Sequence, residues 1–120
     1  MKYQRQIIYG QPPSKSNEKK IVYFKGHAGI AKTRQQKLYE QSFFMQCGLR
    51  SLRIATKFKL TVDVYFKSNR PDLDNAMKII LDCLQACGVV ENDRLCSEIY
   101  ARKLIDKVNP RIEFEIEELI

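Results

Sequence analysis

The sequence predicts an α+β domain, a mixed and mostly antiparallel sheet with two main helices packed on it, in the order β-β-α-β-α-β-β. Two stretches, Phe58 to Phe66 and Arg111 to Glu117, alternate between apolar and polar residues, the period of a half-buried strand. Between them Leu73, Met77, Ile80, Leu84 and Cys87 step by three or four residues, the stripe of an amphipathic helix. With 120 residues, the span 1–120 is expected to be one domain with a modest core.

Taken in order, Gln4 to Tyr9 reads as a short strand stopped by Gly10, Pro12 and Pro13. Pro12-Pro13-Ser14-Lys15-Ser16-Asn17 is not helical, because a residue before proline is pushed toward extended backbone. Lys20 to Phe24 reads as a second strand, antiparallel to the first, and Gly26-His27-Ala28-Gly29 as a turn. Thr33 can cap a helix to about Gln46, with apolar contacts from Leu38, Tyr39, Phe43, Phe44 and Met45 and a basic character from Lys32, Arg34, Lys37 and Arg50. That helix can face DNA, a second copy of the chain, or solvent. Lys67 to Pro71 is the loop after the clearest strand. The striped helix stops at Gly88. Leu95 to Leu104 is a further strand, and Val108-Asn109-Pro110 turns the chain into the last one.

Charge divides the chain. Residues 1–59 hold 13 Lys/Arg against 2 Asp/Glu, and residues 60–120 hold 8 against 12. A basic half beside an acid-bearing half suits an enzyme that holds phosphates on one surface and a cation on another. No apolar run approaches the ~18 residues of a membrane helix, and no signal segment is visible, so a cytoplasmic protein without membrane association is expected. Cys47, Cys83, Cys87 and Cys96 form no CxxC pair and read as reduced, mostly buried thiols. His27, the one histidine, reads as an ordinary loop residue.

The chemistry concentrates in Arg70-Pro71-Asp72-Leu73-Asp74-Asn75, where two carboxylates sit at a loop-to-helix junction and Lys78 follows one turn later. Glu91-Asn92-Asp93 lies just past the helix. Carboxylates are the ligands preferred by Mg²⁺ or Mn²⁺, and Mg²⁺ commonly takes one or two of them with water and phosphate. The chain is expected to reverse after Gly88 and the next strand to return along the helix, which brings Asp93 back into reach, so that three carboxylates can hold one cation or bridge two. Such a site polarises a scissile phosphate and activates water for phosphodiester hydrolysis. Lys78 can neutralise charge on phosphate oxygens or assist the leaving group. The plainer alternatives are a helix cap at Asp72 or Asp74, surface ion pairs of Lys78 with Asp74 and Asp82, and a turn at Asp93.

Arg70 to Asn75 through Lys78, the helix to Gly88, and Asp93 resemble the signature of the RusA family of Holliday junction resolvases, the crossover junction endodeoxyribonucleases. Pro12-Pro13-Ser14-Lys15-Ser16-Asn17 is similar to the Pro-Pro-Ser-x-Asn stretch near the start of such proteins, so the resemblance spans most of the chain. It implies a homodimeric, Mg²⁺-dependent endonuclease of bacteria or their phages, for which Mn²⁺ substitutes. Such an enzyme makes paired nicks in opposing strands of four-way DNA junctions in recombination and repair. Carried over by position, Asp72, Asp74 and Asp93 are the metal ligands and Lys78 is the catalytic lysine. Asn92 precedes Asp93 where family members often carry two adjacent acids, and Glu91 supplies an acid one residue earlier. Lys15, Lys32, Arg34 and Arg70 are candidates to grip DNA, with Lys19, Lys20, Lys25 and Lys37 in the same basic half. Two other readings use the same residues: a non-catalytic DNA-binding dimer related to the family, and a Mg²⁺ enzyme acting on a small phosphorylated substrate. The wide basic half argues against the second.

Overall fold

Phe58–Phe66 forms the central strand of the computed structural model, which describes residues 1–13, 19–24 and 27–119, with backbone alone for 19–24 and 27–32. The strands are β1 (Gln6–Tyr9), β2 (Lys19–Phe24), β3 (His27–Lys32), β4 (Phe58–Phe66), β5 (Cys96–Ile105) and β6 (Arg111–Glu118). The helices are α1 (Arg34–Gln46), between β3 and β4, and α2 (Leu73–Ala86), between β4 and β5. One sheet runs β1-β6-β4-β5, and β2 with β3 makes a separate two-stranded sheet. In the larger sheet β4 pairs antiparallel with β6 and parallel with β5, while β1 pairs antiparallel with β6. The mixed, mostly antiparallel sheet and two helices are as expected.

Three local expectations change. Of the turn expected at Gly26 to Gly29, Gly26 lies outside the described residues, and His27, Ala28 and Gly29 begin β3, opposite Phe24, Tyr23 and Val22. Ala and Gly are poor strand formers, and the ladder with β2 overrides their preference. The first strand pairs with β6 rather than with the second. Leu95 belongs to a single 3-10 turn, Asp93–Leu95, and β5 begins at Cys96.

Alternation decides the core. Phe58, Leu60, Val62, Val64 and Phe66 of β4 are buried with Ile112, Phe114 and Ile116 of β6 and Ile8 of β1. Both helices cover this face. α2 contributes Ala76, Met77, Ile80, Cys83 and Leu84, close to its expected stripe. α1 contributes Tyr39 and Phe43, and Phe43 stacks on Phe114 with centroids 5.8 Å apart. Leu38, Phe44 and Met45, expected to make apolar contacts, are exposed at 52%, 47% and 78%. They lie off the Tyr39–Phe43 stripe, because 3.6 residues per turn admits only one such line. Cys47, Cys83 and Cys87 are buried thiols and Cys96 is partly exposed.

Both helix boundaries follow local chemistry. Thr33 Oγ1 accepts from the Gln36 amide at 3.3 Å, capping α1. α2 ends in a Schellman turn: the Val89 amide donates to Leu84 O at 2.9 Å and the Gly88 amide to Gln85 O at 3.1 Å, with Gly88 at φ +73°. A Cβ on Gly88 would meet the Ser51 backbone at an ordinary contact distance of 3.4 Å, so it is the positive φ that favours glycine.

The sheet face away from the helices carries charge. Asp63, 6% exposed, is held by Arg102 through two hydrogen bonds of 2.8 Å and by Arg5 at 2.9 Å. Arg5 also binds Glu113 and Glu115, and Arg111 binds Glu113 and Asp106. Much of the acidic surplus in residues 60–120 is therefore spent on this network, not on the knot before α2. The Arg102 hydrogen bonds hold the Asp63 carboxyl below the ordinary carboxylate range. Its contribution to stability is thus full above the unfolded pKa and is lost as pH falls through the lower folded value. Asp63→Ala removes the carboxylate that Arg102 binds and leaves Arg5 to Glu113 and Glu115, with both guanidinium groups able to reach water, so a loss of about 1–3 kcal/mol at neutral pH is expected in urea melts. The gap from wild type is expected to narrow on acidification below the ordinary carboxylate range. A gap that widens there would remove Asp63 as the origin.

Candidate metal and DNA site

The loop from β4 to α2 is pinned at both sides before it delivers Asp72. The Lys67 amide donates to Gln11 Oε1 at 2.7 Å, and Lys103 Nζ donates to Asn69 O at 2.8 Å. Asp72 takes extended backbone, φ −89° and ψ 137°, and stands at the N-cap of α2. Its carboxylate caps no backbone amide. Instead Asn75 Nδ2 donates to Asp72 Oδ2 at 3.3 Å. Asp74 lies in the first turn, and both carboxylates are exposed at the helix end whose free N–H groups favour negative charge. Lys78 is exposed one turn further along, on the face of Asp74.

Asp93 lies at the opposite end of this helix. Its amide donates to Gln85 Oε1 at 2.8 Å, in the last turn of α2. With Asp82, Gln85, Ala86 and Asn92 it lines an open cleft of about 390 Å³. A helix of 14 residues is about 21 Å long, and Asp74 and Gln85 are separated by roughly 16 Å along it. Asp93 therefore does not return to Asp72 and Asp74 within the chain. Because β5 is parallel to β4, the chain travels down α2 and starts β5 from the far edge. What comes back beside Asp72 is the other end of β5, where Lys103 grips the loop. Among the described residues no three Asp, Glu, His or Cys side chains are grouped to hold a metal ion.

The neighbours of Asp93 have structural work. Asn92 Oδ1 accepts from the Arg94 amide at 3.0 Å and caps the 3-10 turn, a bond that an aspartate could make equally well. Glu91 lies 3.9 Å from Arg53, and its amide donates to Ile54 O. Of the basic candidates, Arg34 is exposed at the start of α1 and Arg70 is exposed in the loop before Asp72. Lys15 and the side chain of Lys32 lie outside the described residues, as do Lys25 and the side chains of Lys19 and Lys20. Gln85 and Lys103, which position Asp93 and the Asp72 loop, were not singled out in the sequence; a polar residue on a core-facing helix's last turn, and a lysine in an otherwise apolar strand face, were the available signals.

The chain matches the family model described as endodeoxyribonuclease RusA over residues 10–117. It belongs to the RusA family. The matched span takes in the proline pair, both helices and the strands from β2 to most of β6. RusA proteins are endodeoxyribonucleases that resolve Holliday junctions. No curated protein matches the chain. Among the described residues no helix is long and apolar enough to cross a membrane.

Because neither Asp72 nor Asp74 packs into the core, removing their charge is expected to leave the fold intact. Asp72→Asn and Asp74→Asn should each change stability by no more than about 0.5 kcal/mol in thermal melts. Asn caps a helix about as well as Asp, so the cap is tested with Asp72→Ala, where a loss above about 1 kcal/mol would return Asp72 to the role of a helix cap.

Proposed function

We propose that this RusA-family chain is a Mg²⁺-dependent endonuclease that resolves four-way DNA junctions by paired nicks in opposing strands, in recombination and repair in the cytoplasm. In this reading residues 1–120 act as one domain and the enzyme as a homodimer in which each cation site is shared by two chains. The observation that carries it is the separation of Asp93 from Asp72 and Asp74 by the length of α2. A two-fold axis that lays one α2 antiparallel to its copy exchanges the two ends, so that each Asp72–Asp74 pair meets an Asp93. Two symmetric sites also suit two symmetric cuts.

The donor set fits a hard cation: two exposed carboxylates from one chain, with room for water and phosphate. Asp72 and Asp74 would hold it, with Asp93 of the second copy as the third ligand, and Mn²⁺ would substitute for Mg²⁺. A divalent cation there supplies Lewis-acid polarisation of the phosphate and an acidified water. Lys78, exposed one helical turn after Asp74, would supply an ammonium suited to charge that builds on phosphate oxygens. Asn75 holds Asp72 in orientation, and Lys103 fixes the loop on which Asp72 stands. Arg34 and Arg70, with Lys15 and Lys32, supply cations for the DNA backbone.

The test is a labelled four-way junction beside a matched linear duplex, with and without Mg²⁺. Paired nicks are expected in the junction alone, abolished by chelation. Asp72→Asn should bind the junction within about threefold of wild type while cutting at least about a hundredfold more slowly. Salt-sensitive binding without cleavage by any divalent metal would favour the non-catalytic dimer, and equal cutting of both substrates would remove junction selectivity.

A further inference from the structure

The two helices end beside each other, and each ends on a cysteine. Cys47 is the C-cap of α1 and Cys87 the C-cap of α2. Three backbone hydrogen bonds sew the chain after Cys47 to the chain around Cys87. The Ser51 amide donates to Cys87 O at 3.0 Å, the Arg53 amide to Gly88 O at 2.8 Å and the Ile54 amide to Val89 O at 3.0 Å. Ser51 and Arg53 take left-handed backbone to make them, at φ +66° and +54°. Cys47 and Cys87 are thereby brought together in the core, 0% and 6% exposed, with one thiol hydrogen-bonded to the other.

We propose that Cys47 and Cys87 form an oxidative modification site, in which hydrogen peroxide converts the two thiols into a disulfide that staples α1 to α2. The Cys47 thiolate attacks one peroxide oxygen and the O–O bond breaks. The departing hydroxide takes a proton and leaves as water, and Cys47 becomes a sulfenic acid. The Cys87 sulfur, giving up its proton, then attacks the Cys47 sulfur. The S–O bond breaks and a second water leaves. Two electrons pass from the sulfurs to the peroxide, and a thiol reductant reverses the bond by exchange.

Three features single out this pair among the four thiols. The first is nucleophilicity. The hydrogen bond from Cys87 brings the Cys47 thiol down to about 7 in spite of its burial, with help from the Leu49 amide and the Arg50 charge. The same bond, with burial, pushes Cys87 up, so Cys87 stays the protonated partner that resolves the sulfenic acid. The second is access. With Phe44, Met45 and Ala86, Cys87 lines an open groove of about 470 Å³ between the helices, wide enough for a peroxide. The third is geometry. Cys83 lies one turn before Cys87 on the same helix, where Cβ atoms stand about 5–6 Å apart, beyond the ~3.5–4.5 Å that a disulfide spans. Cys96 begins β5, and burial pushes its thiol up. Gln85, which holds the Asp93 amide, is exposed on the side of α2 away from Cys87, since two residues turn a helix by about 200°. The staple therefore closes without breaking that bond.

The test treats the reduced protein with millimolar hydrogen peroxide, blocks the remaining thiols and maps its peptides by mass spectrometry. A linked Cys47–Cys87 peptide is expected in most molecules, and dithiothreitol should remove it. The bond closes a long stretch of chain, so the melting temperature should rise by about 5–10 °C over the reduced protein. Cys83→Ser combined with Cys96→Ser should keep both the linkage and the rise, while Cys47→Ser and Cys87→Ser should each abolish them. A peptide joining Cys83 to Cys87 would overturn the proposal. So would sulfinic acid on Cys47 without a linkage, or thiols that stay reduced in the folded protein at a peroxide dose that oxidises them in urea. The measurement uses neither DNA nor metal, so its outcome is independent of the nuclease reading.

Discussion

Parallel pairing between β4 and β5 is the constraint on which the rest of the molecule depends. Two neighbouring strands that run the same way cannot be joined by a tight turn, so the chain must cross the full length of the sheet between them. α2 is that crossing. It buries one stripe against the sheet and leaves Asp74, Lys78, Asp82 and Gln85 on its outer side. It also sets Asp72 and Asp93 at opposite ends. A single structural decision thus supplies the helix that presents the acids and separates the acids it presents.

The sheet's two faces divide the labour. The helix-bearing face is apolar and supplies the core through Phe114, Phe43 and the alternating residues of β4. The other face is a lattice of ion pairs around Asp63, which ties β1, β4, β5 and β6 together. Breaking such a buried pair costs more than the pair adds in net stability, because it leaves a partner charge uncompensated. Rigid strands below α2 matter for chemistry, because Lys103 on β5 and Gln11 after β1 both fix the loop that carries Asp72.

The central strand, the last strand and α2 were legible because each buries one face, and burial imprints its period on the sequence. The caps at Thr33 and Gly88 were legible because they are local hydrogen-bond chemistry. β3 was hidden, since Ala28, Gly29 and Ala31 carry no strand signal of their own and depend on β2. Asp72, Asp74 and Lys78 could be grouped from spacing alone, as one helical face is fixed by 3.6 residues per turn. The place of Asp93 could not. It depends on whether β5 runs parallel or antiparallel to β4, and nothing within five residues of Asp93 encodes that choice.

Membership in the RusA family makes the chain one of a group of DNA endonucleases. The geometry adds the claim that one chain holds only part of each site. Mixing Asp72→Asn with Asp93→Asn protein, with exchange of chains, tests that claim most directly. Each variant alone is expected to be inactive. The mixture should regain Mg²⁺-dependent nicking of a four-way junction at roughly a quarter of the wild-type sites, because each mixed dimer restores one intact site and leaves the other doubly impaired. A mixture as inactive as its parts, with mixed dimers shown to form, would contradict the shared site.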